Sequence, residues 1–234
     1  MHVIVVASRK GGAGKTTLAG HLAVQAERQG NGPVALLDTD PQGSLADWWN
    51  LRAAPAPHYL HTTMDELPHG IAQLREQGFA LLIVDTPPAL TTAIGDVIGR
   101  ADLVVIPIRP SPHDLRSVGT TVKLVEHLGT PLIFVVNAAP PRARITADAI
   151  TLLSRHGPLA PSIIHQRVDF ASSMIDGRTV MEVSGKSRSA LEIAALWSYL
   201  KDRLQGSVRR TAMPALPGVA AEEGAAPAIG ASGA

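Results

Sequence analysis

Cysteine is absent from the 234 residues, and with it go disulfides, iron–sulfur clusters and thiolate zinc sites. The absence fits a reducing compartment. No apolar run approaches the ~18 residues of a membrane span. The opening MHVIVVASRKGG also lacks the basic-then-apolar order of a secretion signal. Neither sign of charge is in excess: 21 Lys and Arg against 20 Asp and Glu leave a formal net charge of +1. That balance gives no global pull on nucleic acid, so any basic surface must be a local patch. Nine histidines occur without an H-E-x-x-H spacing. His58 and His61, in a proline-rich stretch, read as surface residues rather than metal ligands. The chain is expected to be soluble and cytoplasmic.

What is present is a regular alternation. Nearly continuous Val, Ile and Leu runs stand at Val3–Ala7, Val34–Asp38, Ala80–Asp85, Leu103–Ile108 and Leu132–Asn137. A strand covered on both faces needs that continuity, whereas a half-exposed strand alternates. Helical spacing predicts helices near Thr16–Gln29, Glu66–Gln77, Asp114–Leu128, Thr146–Arg155 and Ser189–Leu204. Ile163 and Ile164 are expected in one more short strand. The fold class expected is α/β, a mostly parallel β-sheet flanked by helices on both faces. One domain should span 1–205. Residues 206–234, rich in Ala, Gly and Pro, read as a disordered tail.

The strongest chemical signal follows the first strand: Lys10-Gly11-Gly12-Ala13-Gly14-Lys15-Thr16-Thr17. The ordinary G-x-x-x-x-G-K-[ST] spacing would need glycine at position 9, which is Arg9. The chemistry is nonetheless that of a phosphate loop. Glycines let successive N–H groups converge on phosphate oxygens, and the following helix N-terminus adds partial positive charge. Lys15 offers a charge to β- and γ-phosphates, and Thr16 a hydroxyl to Mg²⁺. Three strand ends carry partners. Asp38 and Asp40 lie in Asp38-Thr39-Asp40-Pro41-Gln42-Gly43, where ligands bind in open α/β sheets, although Asp-Pro is also a turn pair. Asp85 follows four apolar residues, the arrangement that holds Mg²⁺, and also a place for a turn or cap. Asn137 ends the fifth run and can offer both donors and an acceptor to an adenine edge, or simply make a turn.

The loop with a lysine before its two glycines, followed by D-x-D-P-Q-G and D-x-P-P, resembles the ParA/MinD family of deviant Walker A ATPases. The resemblance covers about residues 1–204 and implies the P-loop NTPase fold with ATP and Mg²⁺ as cofactors. It implies that Lys10 reaches across a nucleotide-sandwich homodimer to the partner's phosphates. Asp40 would orient or activate the attacking water, Asp38 would support the Mg²⁺ hydration shell, and Asp85 would hold the metal through water. Asn137, with the Pro107–Pro110 segment, would line the base pocket. Trp48 and Trp49 are expected to pack the adjoining helix.

The branch resembled is that of small ParA-type proteins, which position plasmids, chromosomes or intracellular assemblies. They bind DNA non-specifically in the ATP state and are nucleoid-associated there. A cargo-bound, ParB-like adaptor stimulates their weak hydrolysis. Arg167, Arg178, Lys186 and Arg188 match the basic C-terminal region used for DNA, with Arg142 and Arg144 as outsiders. A MinD-like membrane regulator is the first alternative, but Pro214 and Pro217 interrupt any basic amphipathic tail helix, so no membrane contact is expected. An ATP-dependent synthetase of the same superfamily is the second, and here the missing cysteine removes a glutaminase nucleophile. With only Tyr59 and Tyr199, the tyrosine-cluster kinases that share such a loop are disfavoured.

Overall fold

The computed structural model describes residues 1–89 and 91–211, with side-chain surroundings as far as residue 206. Six strands form one parallel sheet: β1 (His2–Val6), β2 (Val34–Asp38), β3 (His58–Tyr59), β4 (Leu81–Asp85), β5 (Leu103–Ile108) and β6 (Leu132–Val136), in the order β3-β2-β4-β1-β5-β6. The helices are α1 (Lys15–Arg28), α2 (Ser44–Asn50), α3 (Leu67–Glu76), α4 (Thr92–Ile98), α5 (Pro112–His127), α6 (Arg144–Leu153), α7 (Val168–Met174), α8 (Val180–Val183) and α9 (Arg188–Thr211).

The long runs are strands for the reason their composition suggests: both faces are covered. Ile4, Val6, Leu36 and Ile83 face a core shared with α1, α2, α8 and α9. Val3, Val5, Leu82 and Val84 face a second core shared with α3, α4, α5 and α6. The chain reverses its winding direction at the centre, since β1 pairs with both β4 and β5. The crevice at the carboxyl ends of these strands is where such sheets receive ligands. Register brings the chemistry together there, because Asp85 stands opposite Val6 on one side and Asp38 on the other.

Both sheet edges are short or covered. β3 has two residues. β6 is lined by the segment from Pro158 to Gln166, which makes backbone bonds to Phe134, Val136 and Ala139. Ile163 and Ile164 do not form the extra strand expected; that segment pairs as two isolated bridges, Leu159 with Phe134 in β6 and His165 with Ala139 just beyond it. A bend at Pro161, which has no N–H to donate, lies between the two bridges. α9 runs to Thr211, so the helix crosses the position where the tail was expected to begin. The remainder of that tail, including Pro214 and Pro217, lies outside the described residues.

α2, α4, α7 and α8 have no counterpart in the helical spacing of the sequence. Each has seven residues or fewer, about two turns, which is too short for a 3.6-residue period to show. Trp48 packs as expected: it is buried, and its ring lies over Gly20, where an added Cβ would come within 3.1 Å.

Candidate functional site

The phosphate loop leaves β1 and enters α1 through Gly14, whose φ of 87° is a left-handed conformation that side chains resist. A Cβ there would also lie 2.4 Å from Asn137 Nδ2. No side chain caps α1, so its leading N–H groups remain available to an anion. Above them opens a cavity of about 650 Å³ lined by Gly11, Gly12, Gly14, Lys15, Thr16, Thr17, Asp40 and Gln42, with Trp48, Leu51, Met174, Ile175 and Arg109 on its rim.

Lys15 is buried in this wall. Burial lowers its pKa, while the nearby Asp85 and Asp40 charges oppose that loss. Thr16 Oγ1 donates to Asp85 Oδ2 at 2.5 Å. Asp85 is 1% exposed, and burial, with the Asp38 charge adding to it, pushes its carboxyl up to about 7 against the pull of Thr16 and Lys15. Asp85 Oδ1 is buried with no hydrogen-bond partner. An orphaned carboxylate oxygen beside a threonine hydroxyl is a donor set that fits a hard divalent cation, which takes oxygen ligands. Thr16 and Asp85 are thus the residues that would hold Mg²⁺, and the cation would draw the Asp85 carboxyl back towards its charged form.

The other candidates separate. Asp40 lines the cavity, with Oδ1 accepting from Gln42 N at 3.0 Å. Asp38 makes three bonds to backbone N–H groups. Its Oδ1 accepts from Asp40 N at 2.9 Å, and its Oδ2 from Leu45 N and Ala46 N at 2.9 and 3.2 Å. Those bonds cap α2 and shape the Asp40 turn, and Asp38 does not line the phosphate cavity. Lys10 is exposed at the loop tip and is also outside that lining.

Asn137 is buried and donates from Nδ2 to Ala13 O at 2.7 Å, bracing the loop from behind. It also lines a neighbouring cavity of about 180 Å³ with Thr17, Arg109, Ile164, Gln166 and Phe170. That cavity adjoins the phosphate site through Gly14 and Thr17 and has the mixed apolar and polar walls a nucleobase needs. Arg109, inside the Pro107–Pro110 segment expected beside the base, borders both cavities.

Of the four cations assigned to DNA, two are committed within the chain. Arg167 forms a bidentate pair with Glu192 at 2.6 and 2.8 Å and lines the smaller cavity. Arg178 pairs with Asp176 at 2.6 Å. Lys186 and Arg188 are exposed and have no ion-pair partner among the described residues. Arg144 opens α6, and Arg142 lies two residues before it with a positive φ of 57°.

Against known proteins, the nucleotide binding domain described as CobQ/CobB/MinD/ParA matches residues 4–180. Maintenance of carboxysome distribution protein A from Halothiobacillus neapolitanus is 29% identical, covering 81% of this chain and 91% of that protein. Its namesake from Gloeobacter kilaueensis is 34% identical, with 81% and 88% covered. Among solved structures, apo McdA from Cyanothece has a TM-score of 0.69 at 19% identity, over 87% of this chain and 99% of that one. MinD with Mg-ADP from Pyrococcus horikoshii has 0.72 at 17%, over 88% and 97%. At these identities the structural likeness speaks to the fold alone.

Proposed function

Since the chain belongs to the CobQ/CobB/MinD/ParA nucleotide-binding family, we propose that it is a positioning ATPase of ParA type that closes an ATP-sandwich dimer, binds DNA without sequence preference in that state, and distributes a cargo. The pair of lysines carries this reading. Lys15 is buried in the wall of the phosphate cavity, while Lys10 stands exposed at the tip of the same loop, outside its own cavity. A lysine so placed is free to meet the phosphates of a second copy. ATP would then join the two subunits, and Thr16 and Asp85 are the residues that would hold Mg²⁺. Asp40, on the cavity wall, orients the attacking water, and its loss should trap the closed dimer.

Hydrolysis releases the dimer and its DNA, and an adaptor on the cargo accelerates that step. The two curated relatives named for carboxysome distribution match 81% of this chain each, whereas the ParA of Rhizobium radiobacter matches 53%. The names of those two relatives favour an intracellular assembly as cargo.

The test is retention of duplex DNA, with subunit mass measured in parallel, in ATP·Mg²⁺, ADP·Mg²⁺ and no nucleotide. Dimers and DNA retention should appear together with ATP alone. Equal retention in all three states would sink the switch. ATP-dependent capture by anionic liposomes without DNA retention would transfer the protein to a membrane role.

A further inference from the structure

Part of the wall of the smaller cavity is the segment from Ile164 to Arg167, and that segment is fastened on two sides. Ile164 N donates to Val136 O at 3.0 Å and Gln166 N to Ala139 O at 2.9 Å. These bonds tie the wall to the end of β6, on either side of Asn137. The amide of His165, between them, donates instead to Glu192 Oε2 at 3.0 Å. His165 Nδ1 lies 2.8 Å from Glu192 Oε1. The Arg167 guanidinium donates to both carboxylate oxygens, at 2.6 and 2.8 Å. Four bonds thus converge on one side chain near the start of α9, two on each oxygen. An ionised carboxylate only accepts, which places the His165 proton on Nδ1.

Glu192 is 17% exposed in its side chain and does not itself line the cavity, although its neighbour Ile193 does. Burial alone would raise its carboxyl, but the bonds from Arg167 and His165 hold it below the usual carboxylate range. The bland role for such a residue is to fasten α9 to the body of the protein. That fastening is already supplied. Ile193, Leu196, Trp197 and Leu200 are buried in the core beside α1, and Asp169 accepts from Ser189 Oγ at 2.8 Å, a separate tie between α7 and α9. Glu192 alone, among the described residues, holds the His165 amide and the Arg167 guanidinium. Without it the wall would be fixed only along β6, and an entering ligand would have to order the rest, a cost that preformed sites avoid.

We infer that Glu192 is a positioning residue that, acting through His165 and Arg167, keeps the wall of the nucleobase pocket preformed; this rests on the nucleotide binding in the function proposed above. The carboxylate touches no part of the nucleotide. Its effect is confined to the half of the site that meets the base, because the phosphate loop is built separately, from β1, α1 and Asp85.

That division supplies the test. Calorimetric titration of the full chain with Mg²⁺ compares ADP, which carries a base, with pyrophosphate, which can fill only the phosphate loop. Wild type should bind ADP more tightly than pyrophosphate. Glu192→Ala should weaken ADP about tenfold, the equivalent of ordering one or two side chains on binding, and leave pyrophosphate unchanged. Glu192→Gln keeps an acceptor for the His165 amide but loses the charge, and should fall between. Asp169→Ala, which cuts the other tie between α7 and α9, should match wild type with both ligands. Melting curves verify that each variant folds. Unchanged ADP affinity in Glu192→Ala would overturn the assignment. Equal losses for ADP and pyrophosphate, or an equal ADP loss in Asp169→Ala, would reduce Glu192 to a general brace of the fold. A wild-type chain that binds the two ligands alike would show that the cavity receives no base, and the assignment would fall with it. If wild type shows the base-dependent margin but retains no DNA with ATP, the proposed switch is removed while the role of Glu192 stands.

Discussion

His21 lies in the middle of α1, fully buried, with Nδ1 2.7 Å from Thr17 O and Nε2 accepting from Val180 N at 3.3 Å. A carbonyl on one nitrogen and an N–H on the other fix the neutral tautomer with its proton on Nδ1. Burial holds its pKa down to about 4 from an ordinary 6.5. A group whose folded pKa is depressed binds its proton first in the unfolded chain. Its contribution is therefore complete above pH 6.5 and is lost as pH falls from there towards 4. The loss should reach about 3 kcal/mol. Urea unfolding between pH 7.5 and 4.5 checks this: wild type should lose stability on acidification, and His21→Leu should start lower but show a flatter limb. Equal slopes would place the acid sensitivity elsewhere. Asp40 makes the complementary case, a side chain whose absence should barely touch the fold. It has one local backbone bond, so Asp40→Ala should bind ATP normally and lose hydrolysis by at least tenfold. Lys15→Ala should lose nucleotide binding itself. An Asp40→Ala protein with wild-type turnover would move the water-handling role to another group.

Among the elements, α2 connects the site to the rest of the molecule. Asp38 caps its N-terminus. Trp48 Nε1 donates to Arg178 O. Arg52, just past its end, is only 2% exposed in its side chain and reaches Gly177 O at 2.7 Å and Glu182 Oε1 at 2.9 Å. Gly177 must be glycine, since its φ is 76° and a Cβ would lie 2.5 Å from Arg52 N. Asp38→Ala should cost about 1–2 kcal/mol through the lost cap and should also slow hydrolysis by displacing Asp40. Arg52→Ala leaves the half-buried Glu182 without its guanidinium partner and should cost about 3 kcal/mol, the low end for a buried pair. Thermal melts measure both, and an Arg52→Ala melt at the wild-type temperature would contradict the buried-pair argument. The sequence announced the five long strands and five long helices because each is long enough for its hydrophobic period to show. It was silent on α2 because seven residues of SLADWWN carry too little period, and it did not show the cap that Asp38 makes, because a carboxylate that caps a helix and one that serves a metal look alike in DTDPQG. Arg28 could not be placed beside Gly185 from the sequence, since only the packing of α1 against α8 and α9 brings them together.

At the scale of the whole molecule, nucleotide should act as a stabiliser, because the loop N–H groups and the Asp85 oxygen find partners only when it binds. ATP with Mg²⁺ at a hundred times its dissociation constant should add about 2.7 kcal/mol. Chelating the metal should remove part of that gain, and Lys15→Ala should show none of it. Differential scanning fluorimetry with and without EDTA tests this, and an ATP-independent melting temperature in the wild-type protein would contradict the cavity assignment. The phosphate site was legible in advance because its residues are contiguous in KGGAGKTT, whereas the base pocket was less so, being assembled from β6, α7 and the Arg109 segment. The sheet borders have a further consequence. One edge strand has two residues, and the other is occupied by the Pro158–Gln166 segment. Exposed strand edges are templates on which crowded chains pair into aggregates. With both borders blunted, many copies can be held side by side at high local concentration without their sheets fusing into fibres.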